Sequence, residues 1–239
     1  MNDFVELWVY LSATPLFGLT ITLVTYLVAD AMYRRSGYAP WANPVLWTVL
    51  ALATLLWVSA TPYPTYFSGA QFIHFLLGPA VVALGWPLWQ RRQQLRQRGV
   101  ALLLASLVGG LAAASSAVAI GWALDLPQEV LRSLAPKSVT APVAMGIAEQ
   151  LGGVPALAAV MAVLTGLVGA VSGKYLLDLL RISAPEVRGF AMGTVSHGIG
   201  AARAMQVHPE AGAYAGLALG LQVLLASLLL PLLAPLLLN

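Results

Sequence analysis

Long stretches of this chain carry no charge at all. No Asp, Glu, Lys or Arg occurs between Arg35 and Arg91, between Arg98 and Asp125, between Glu149 and Lys174, or after Glu210. Charged residues make up 9% of the 239, against about a quarter in a soluble domain. Hydrophobic residues make up 59%, and the mean hydropathy is +0.83. A helix rises about 1.5 Å per residue and an apolar bilayer core is about 30 Å thick, so each uncharged gap has room for at least one crossing. The composition therefore specifies an all-α, polytopic helical membrane protein.

Other absences narrow the function. There is no cysteine, which excludes disulfides, thiolate catalysis and iron–sulfur clusters. The apolar runs are continuous rather than alternating, which excludes a transmembrane β-barrel. The acidic start, MNDFVELWVYL, lacks the basic region and small-residue cleavage site of a signal peptide, so the first helix is expected to be retained. His74, His197 and His208 have no metal-ligand spacing, and Gly198-Ile199-Gly200 lacks the strand that a nucleotide fingerprint needs. Ser196 and His197 are adjacent without a nucleophile elbow or an orienting acid. No enzyme, cofactor or metal reading survives. The net charge of +3 comes from loop arginines, a pattern that suits membrane orientation rather than nucleic-acid binding.

What remains is a series of apolar runs with marked ends. A short lead-in helix precedes a crossing from about Thr14 to Met32, closed by Arg34 and Arg35. A second run opens on Pro44, a favoured helix start, and ends near Ala60 at Thr61-Pro62-Tyr63-Pro64. Trp41, Trp57, Tyr63 and Tyr66 flank it as interfacial anchors. The third run, Gln71 to Trp89, is expected to kink or break at Pro79, where an amide donor is missing. The loop Gln90 to Arg98 carries Arg91, Arg92, Arg96 and Arg98, the strongest positive-inside signal, and is assigned to the cytoplasm. Val100 to Leu124 forms a fourth crossing. Further segments follow at 154–177, 189–205 and from Ala211 onward. Read as a crossing, Val130 to Glu149 puts Arg181 and Arg188 outside; read as re-entrant, it returns them inside. The total is about seven or eight membrane segments, some broken or re-entrant. Glycines recur at helix-contact spacing: Gly169 with Gly173, Gly189 with Gly193, and Gly212, Gly216 and Gly220.

A weak two-fold repeat, with halves 1–124 and 125–239, is legible. Ser12-Ala13-Thr14-Pro15 echoes Ser138-Val139-Thr140-Ala141-Pro142, Pro44 echoes Pro155, and the break at Gly78-Pro79 echoes His197-Gly198. Interrupted hydrophobic segments at matching positions of two halves point toward a transporter site.

Two polar clusters stand out in so apolar a chain. Lys137 lies between Pro136 and Ser138, about 12 residues beyond Asp125. Prolines 136 and 142 leave the backbone between them short of helical hydrogen bonds, a state tolerated in membranes where it lines a cavity or is buried in protein. Lys137, the hydroxyls of Ser138 and Thr140 and the amides after Pro142 suit an anion; the alternative is a snorkelling lysine at a helix start. In the second cluster, Gly193 to Arg203, Gly198 and Gly200 are expected to relax the helix. Arg203 is able to grip a carboxylate with two parallel bonds. His197 titrates near neutrality and would handle a proton, or it is a hydrogen-bonded structural residue. Glu149 is the other acid–base candidate.

The words Gly78-Pro79-Ala80-Val81-Val82-Ala83-Leu84, Pro136-Lys137-Ser138-Val139-Thr140-Ala141-Pro142, Glu149-Gln150 with Gly152-Gly153-Val154-Pro155, Gly193-Thr194-Val195-Ser196-His197-Gly198-Ile199-Gly200 with Ala202-Arg203-Ala204, and Glu210-Ala211-Gly212-Ala213 occur in this order. In them the chain resembles the LrgB/CidB family, whose plastid relatives are glycolate/glycerate translocators. Ala141 departs from the pattern, which usually has a second threonine there. The resemblance implies a single LrgB-like domain over 1–239, a multi-pass protein of the bacterial plasma membrane, and a small holin-like LrgA/CidA partner. It also implies one of two functions: transport of small monocarboxylates of the pyruvate or glycolate type, or antiholin-like control of murein hydrolase activity and lysis; the lysine, arginine and histidine beside helix breaks make proton-coupled transport the expected activity and the antiholin role the alternative. The expected substrate site comprises Pro79, Lys137, Ser138, Thr140, Pro142, Thr194, Ser196, His197, Gly198 and Arg203, with His197 or Glu149 coupling a proton during alternating access. A homodimer is expected from the glycine-rich faces.

Overall fold

A computed structural model describes residues 15–76, 79, 82, 83, 85–90 and 92–237. Every regular element among them is helical. The chain divides into two compact units, 1–80 and 81–239.

The first unit contains α1 (Pro15–Arg35), a 3₁₀ turn at Pro40–Ala42, α2 (Pro44–Val58) and α3 (Tyr63–Phe75). The expected lead-in helix lies outside the described residues. α1 ends on Arg34 and Arg35 as the charge pattern requires. α2 starts where Pro44 predicts, with the Asn43 carboxamide accepting from the amides of Val45 and Leu46 at 2.9 and 3.2 Å. At 15 residues it is about 22 Å long, shorter than an apolar core of about 30 Å. α3 begins at the Thr61–Pro64 turn, eight residues before the expected third run, and ends ahead of Gly78-Pro79. Pro79 itself is helical and exposed; the residues on both sides of it lie outside the described ones. α1 and α3 touch where Gly18 meets the Tyr66 carbonyl, and Thr22 shares a 2.7 Å hydrogen bond with the Tyr66 hydroxyl.

The second unit contains α4 (Gly85–Gln90), α5 (Arg92–Ala123), α6 (Gln128–Leu134), α7 (Ala141–Gln150), α8 (Pro155–Leu179), α9 (Pro185–Val207) and α10 (Pro209–Leu237). From Arg92 on, the basic stretch expected as a loop is helical: Arg and Gln are strong helix formers, and α5 absorbs it with one non-helical residue, Arg98, at φ −123° and ψ 15°. Among the described residues, four helices are long and apolar enough to cross a membrane: Leu16–Arg35, Arg96–Ala123, Pro155–Leu179 and Pro209–Leu233. This is a multi-pass membrane protein.

The segment whose crossing was open becomes two short helices. α6 has 7 residues and α7 has 10, about 10 and 15 Å in length. The chain leaves Ser133 and comes back to it. The Ser133 hydroxyl donates to Glu129 at 2.6 Å and accepts from the Val154 amide at 2.7 Å. Gly153 packs so tightly on Ser133 that a Cβ would lie 2.9 Å from its amide nitrogen. Residues 134–153 thus form a closed excursion, beginning and ending at one point, rather than a through-going rod. Ala144, Ala148, Ala158 and Ala162 are fully buried between α7 and α8, close packing by small side chains of the kind that holds helices together in lipid.

α9 and α10 make the most extensive helix pair. Gly189 and Gly193 lie against the backbone carbonyls of Ala211 and Ala215, where no Cβ fits. The expected contact role of this glycine pair is met. The α8–α9 turn is tied by Arg188, whose Nη1 reaches Asp178 Oδ1 at 2.6 Å and the Ile182 carbonyl at 2.9 Å.

Candidate functional site

The second unit builds a groove from the turn after α6 and from facing sides of α8 and α9. α8 carries small residues at Ala162, Gly166, Gly169 and Gly173, and α9 fills the space they leave. The His197 ring lies over Gly166, where a Cβ would come 2.7 Å from Cε1. Ser196 packs onto Gly169, and Met192 onto Gly173. The glycines let two helix backbones approach, and two polar residues of α9 are buried in the seam: Ser196 and His197 are 2% and 3% exposed.

His197 breaks α9. Its φ of 40° and ψ of −135° are the only non-helical values within the helix; a positive φ strains a residue with a Cβ by about 1–3 kcal/mol. The expected relaxation at Gly198 and Gly200 is thus displaced onto His197 itself. Gly200 is held against Met192 and Ser196, while Gly198 has open space around it. His197 Nε2 is 2.7 Å from the Ala162 carbonyl. A carbonyl only accepts, so Nε2 carries the proton in this arrangement.

Lys137 sits on the turn between α6 and α7, half-buried, with its ammonium donating to Ser138 Oγ at 3.4 Å. The turn exists because Pro136 and Pro142 interrupt helix formation. Thr140 takes the N-cap position of α7 and Pro142 its first turn. The Thr140 carbonyl accepts from the amides of Val143 and Ala144, and its side chain makes no capping bond. Lys137 lines a groove of about 480 Å³ with Thr165, Gly169 and Ser172 of α8 and Met192, Val195 and Ser196 of α9. The other walls are apolar, and among the described residues no Asp or Glu lines it. One ammonium among hydroxyls and hydrocarbon favours an anion with a short carbon skeleton.

The structure thus brings Lys137 and Ser196 to one groove, with His197 buried behind it. It places the other candidates elsewhere. Ser138 turns to a separate cavity between α5 and α10. Thr194 donates to the Phe190 carbonyl of its own helix at 2.8 Å and lies against Gly109 of α5. Arg203, 9% exposed, stands nearly two turns beyond His197 and is not in the groove lining. Glu149 is exposed at the end of α7, and Pro79 belongs to the first unit. Thr165 and Ser172 escaped sequence reasoning because hydroxyls in an apolar helix read as self-satisfied; Ser172 does bond the Val168 carbonyl at 2.6 Å. Their signal was periodic: Thr165, Gly169 and Ser172 fall on one helix face.

Comparison with known proteins identifies the family. The profile of the LrgB-like family matches residues 22–236. The chain is similar to YwbG of Bacillus subtilis, 33% identical over 84% of this chain and 89% of that one. It is also similar to the Holin-like protein CidB of Staphylococcus aureus, 28% identical over 92% of each chain. A third relative is the Antiholin-like protein LrgB of Bacillus mycoides, 25% identical over 86% of this chain and 90% of that one. No solved structure matches significantly. By the match across nearly its whole length, the chain belongs to the LrgB-like family.

Proposed function

We infer that this protein is a non-enzymatic, holin- or antiholin-like component of the bacterial plasma membrane, which influences murein hydrolase activity and lysis together with a small holin-like partner of the LrgA/CidA type. The observation that carries this reading is the family membership, with relatives named holin-like and antiholin-like across nine-tenths of their length. Deleting the chain, alone and with its partner, and following lysis and hydrolase activity tests it; unchanged lysis in both strains would sink it.

A second reading rests on the groove itself: transport of a small monocarboxylate by alternating access, probed with pyruvate and glycolate. A lysis regulator has no need of a half-buried ammonium facing hydroxyls in an acid-free groove, whereas a carboxylate carrier does. In this reading Lys137 and Ser196 hold the carboxylate and His197 handles the coupled proton. Labelled uptake into proteoliposomes separates the readings. Saturable uptake supports transport, and release of large dyes without saturable uptake supports a pore.

The closed excursion at 134–153 also supports an orientation. With α5 leaving a cytoplasmic Arg92–Arg98 stretch and the excursion not crossing, α8 returns Lys174, Arg181 and Arg188 to the cytoplasmic side. Arg92, Arg96, Arg98, Arg181 and Arg188 then share the cytoplasmic side, with Arg132 of α6 left on the other.

A further inference from the structure

Ser106 is fully buried inside an apolar crossing, and its hydroxyl has no hydrogen-bond partner among the described residues. Other serines in such helices satisfy themselves: Ser115 donates to the Leu111 carbonyl at 2.7 Å and Ser172 to the Val168 carbonyl at 2.6 Å. Ser106 instead borders a cavity of about 30 Å³ between α5, α10 and the turn at 135–139. Two further polar side chains border the same cavity, Ser138 and Gln222, 9% and 4% exposed. Gln222 is fixed by its Nε2 donating to the Ser106 carbonyl at 2.6 Å, which leaves its Oε1 as an acceptor.

The chemistry of these groups selects the occupant. The cavity of about 30 Å³ has room for water, which requires about 10–15 Å³ on this measure and two to four polar partners. A cation is disfavoured because the Lys137 ammonium lies 3.4 Å from Ser138 Oγ and no carboxylate borders the cavity. A neutral molecule able both to donate and to accept matches the chemistry of the two hydroxyls and the amide oxygen.

We propose that a single water molecule occupies this cavity, bridging Ser106 Oγ, Ser138 Oγ and Gln222 Oε1, and so ties the lysine-bearing turn to α5 and α10. The site adjoins the groove without lining it, because Ser138 Oγ borders the cavity and also accepts from the Lys137 ammonium at 3.4 Å. The water acts as a positioning link for Lys137 through its neighbour.

Two measurements on the full-length protein test this. A high-resolution crystallographic or cryo-EM map of the unsubstituted chain is expected to show one density peak about 2.7–3.2 Å from all three side chains; a dry cavity overturns the proposal. In detergent, Ser106→Ala and Ser138→Ala are each expected to lower Tm by about 2–4 °C, because each removes a partner of the bound water. If the cavity is dry, Ser106→Ala deletes an unsatisfied hydroxyl and leaves Tm unchanged or raised, which also overturns it. Replacing sodium by choline is expected to leave Tm unchanged; a sodium-dependent Tm would assign the site to a cation instead.

Discussion

The His197 ring donates from Nε2 to the Ala162 carbonyl across the α8–α9 seam, 2.7 Å away, from a residue held at φ 40°. The strain at His197 and the smallness of Gly166 therefore belong to one arrangement, since the ring occupies the volume a Cβ at Gly166 would take.

Gly166→Ala is accordingly expected to destabilise the protein by about 1–3 kcal/mol through overpacking. Combining it with His197→Gly removes the ring and the positive-φ penalty together. The double variant is expected to lose less than the sum of the single losses, as thermal unfolding in detergent would show; strict additivity would mean that the two residues do not share this space.

Gly193 and Gly198 lie in the same helix and are expected to respond differently to alanine. At Gly193 the new methyl meets the Ala215 backbone, which cannot swing aside, so Gly193→Ala should cost about 1–3 kcal/mol. At Gly198 there is open space, and Gly198→Ala should be neutral or gain up to about 1 kcal/mol of helix propensity. Comparing Tm for the two variants checks the α9–α10 contact.

If the groove carries carboxylate, Lys137→Ala should weaken saturable uptake by about tenfold or more, the loss of one charge-assisted contact. Lys137→Arg should retain part of the activity, because the charge remains while the donor geometry changes. Uptake rates in proteoliposomes, set against an unchanged Tm, give the answer. Equal uptake in all three proteins would remove Lys137 from the site.

The absence of cysteine makes the natural chain a clean background for topology mapping. Asp125→Cys and Ser183→Cys place single thiols at exposed positions at opposite ends of α8 with its preceding excursion. An impermeant maleimide is expected to label the first from outside intact cells and the second only after the membrane is opened. Labelling of both from one side would make residues 134–153 a full crossing.

Much of the architecture was legible because lipid punishes irregularity. Charge-free gaps, prolines at helix starts and arginines at run ends gave α1, the crossing in α5, α8 and α10, and Gly189 with Gly193 announced the α9–α10 contact. The basic loop did not survive, since arginine and glutamine propagate a helix as readily as they fill a loop. In the candidate site, Lys137 and Ser196 were readable from local breaks. Thr194 was not, because its hydroxyl is consumed by the Phe190 carbonyl of its own helix, and sequence does not say which serines and threonines turn inward.

The sequence alone determined that this chain lives in a membrane, belongs with LrgB-like proteins, and interrupts its helices at Pro136, at Pro142 and close to Gly198. Those conclusions follow from composition and order, which are local properties. The tertiary structure decided that Ser133 meets Val154, that Lys137 and Ser138 face different cavities, and that Ser106 and Gln222 share one of them. Contacts between residues 21 and 116 positions apart depend on which helix faces meet, and packing alone sets that.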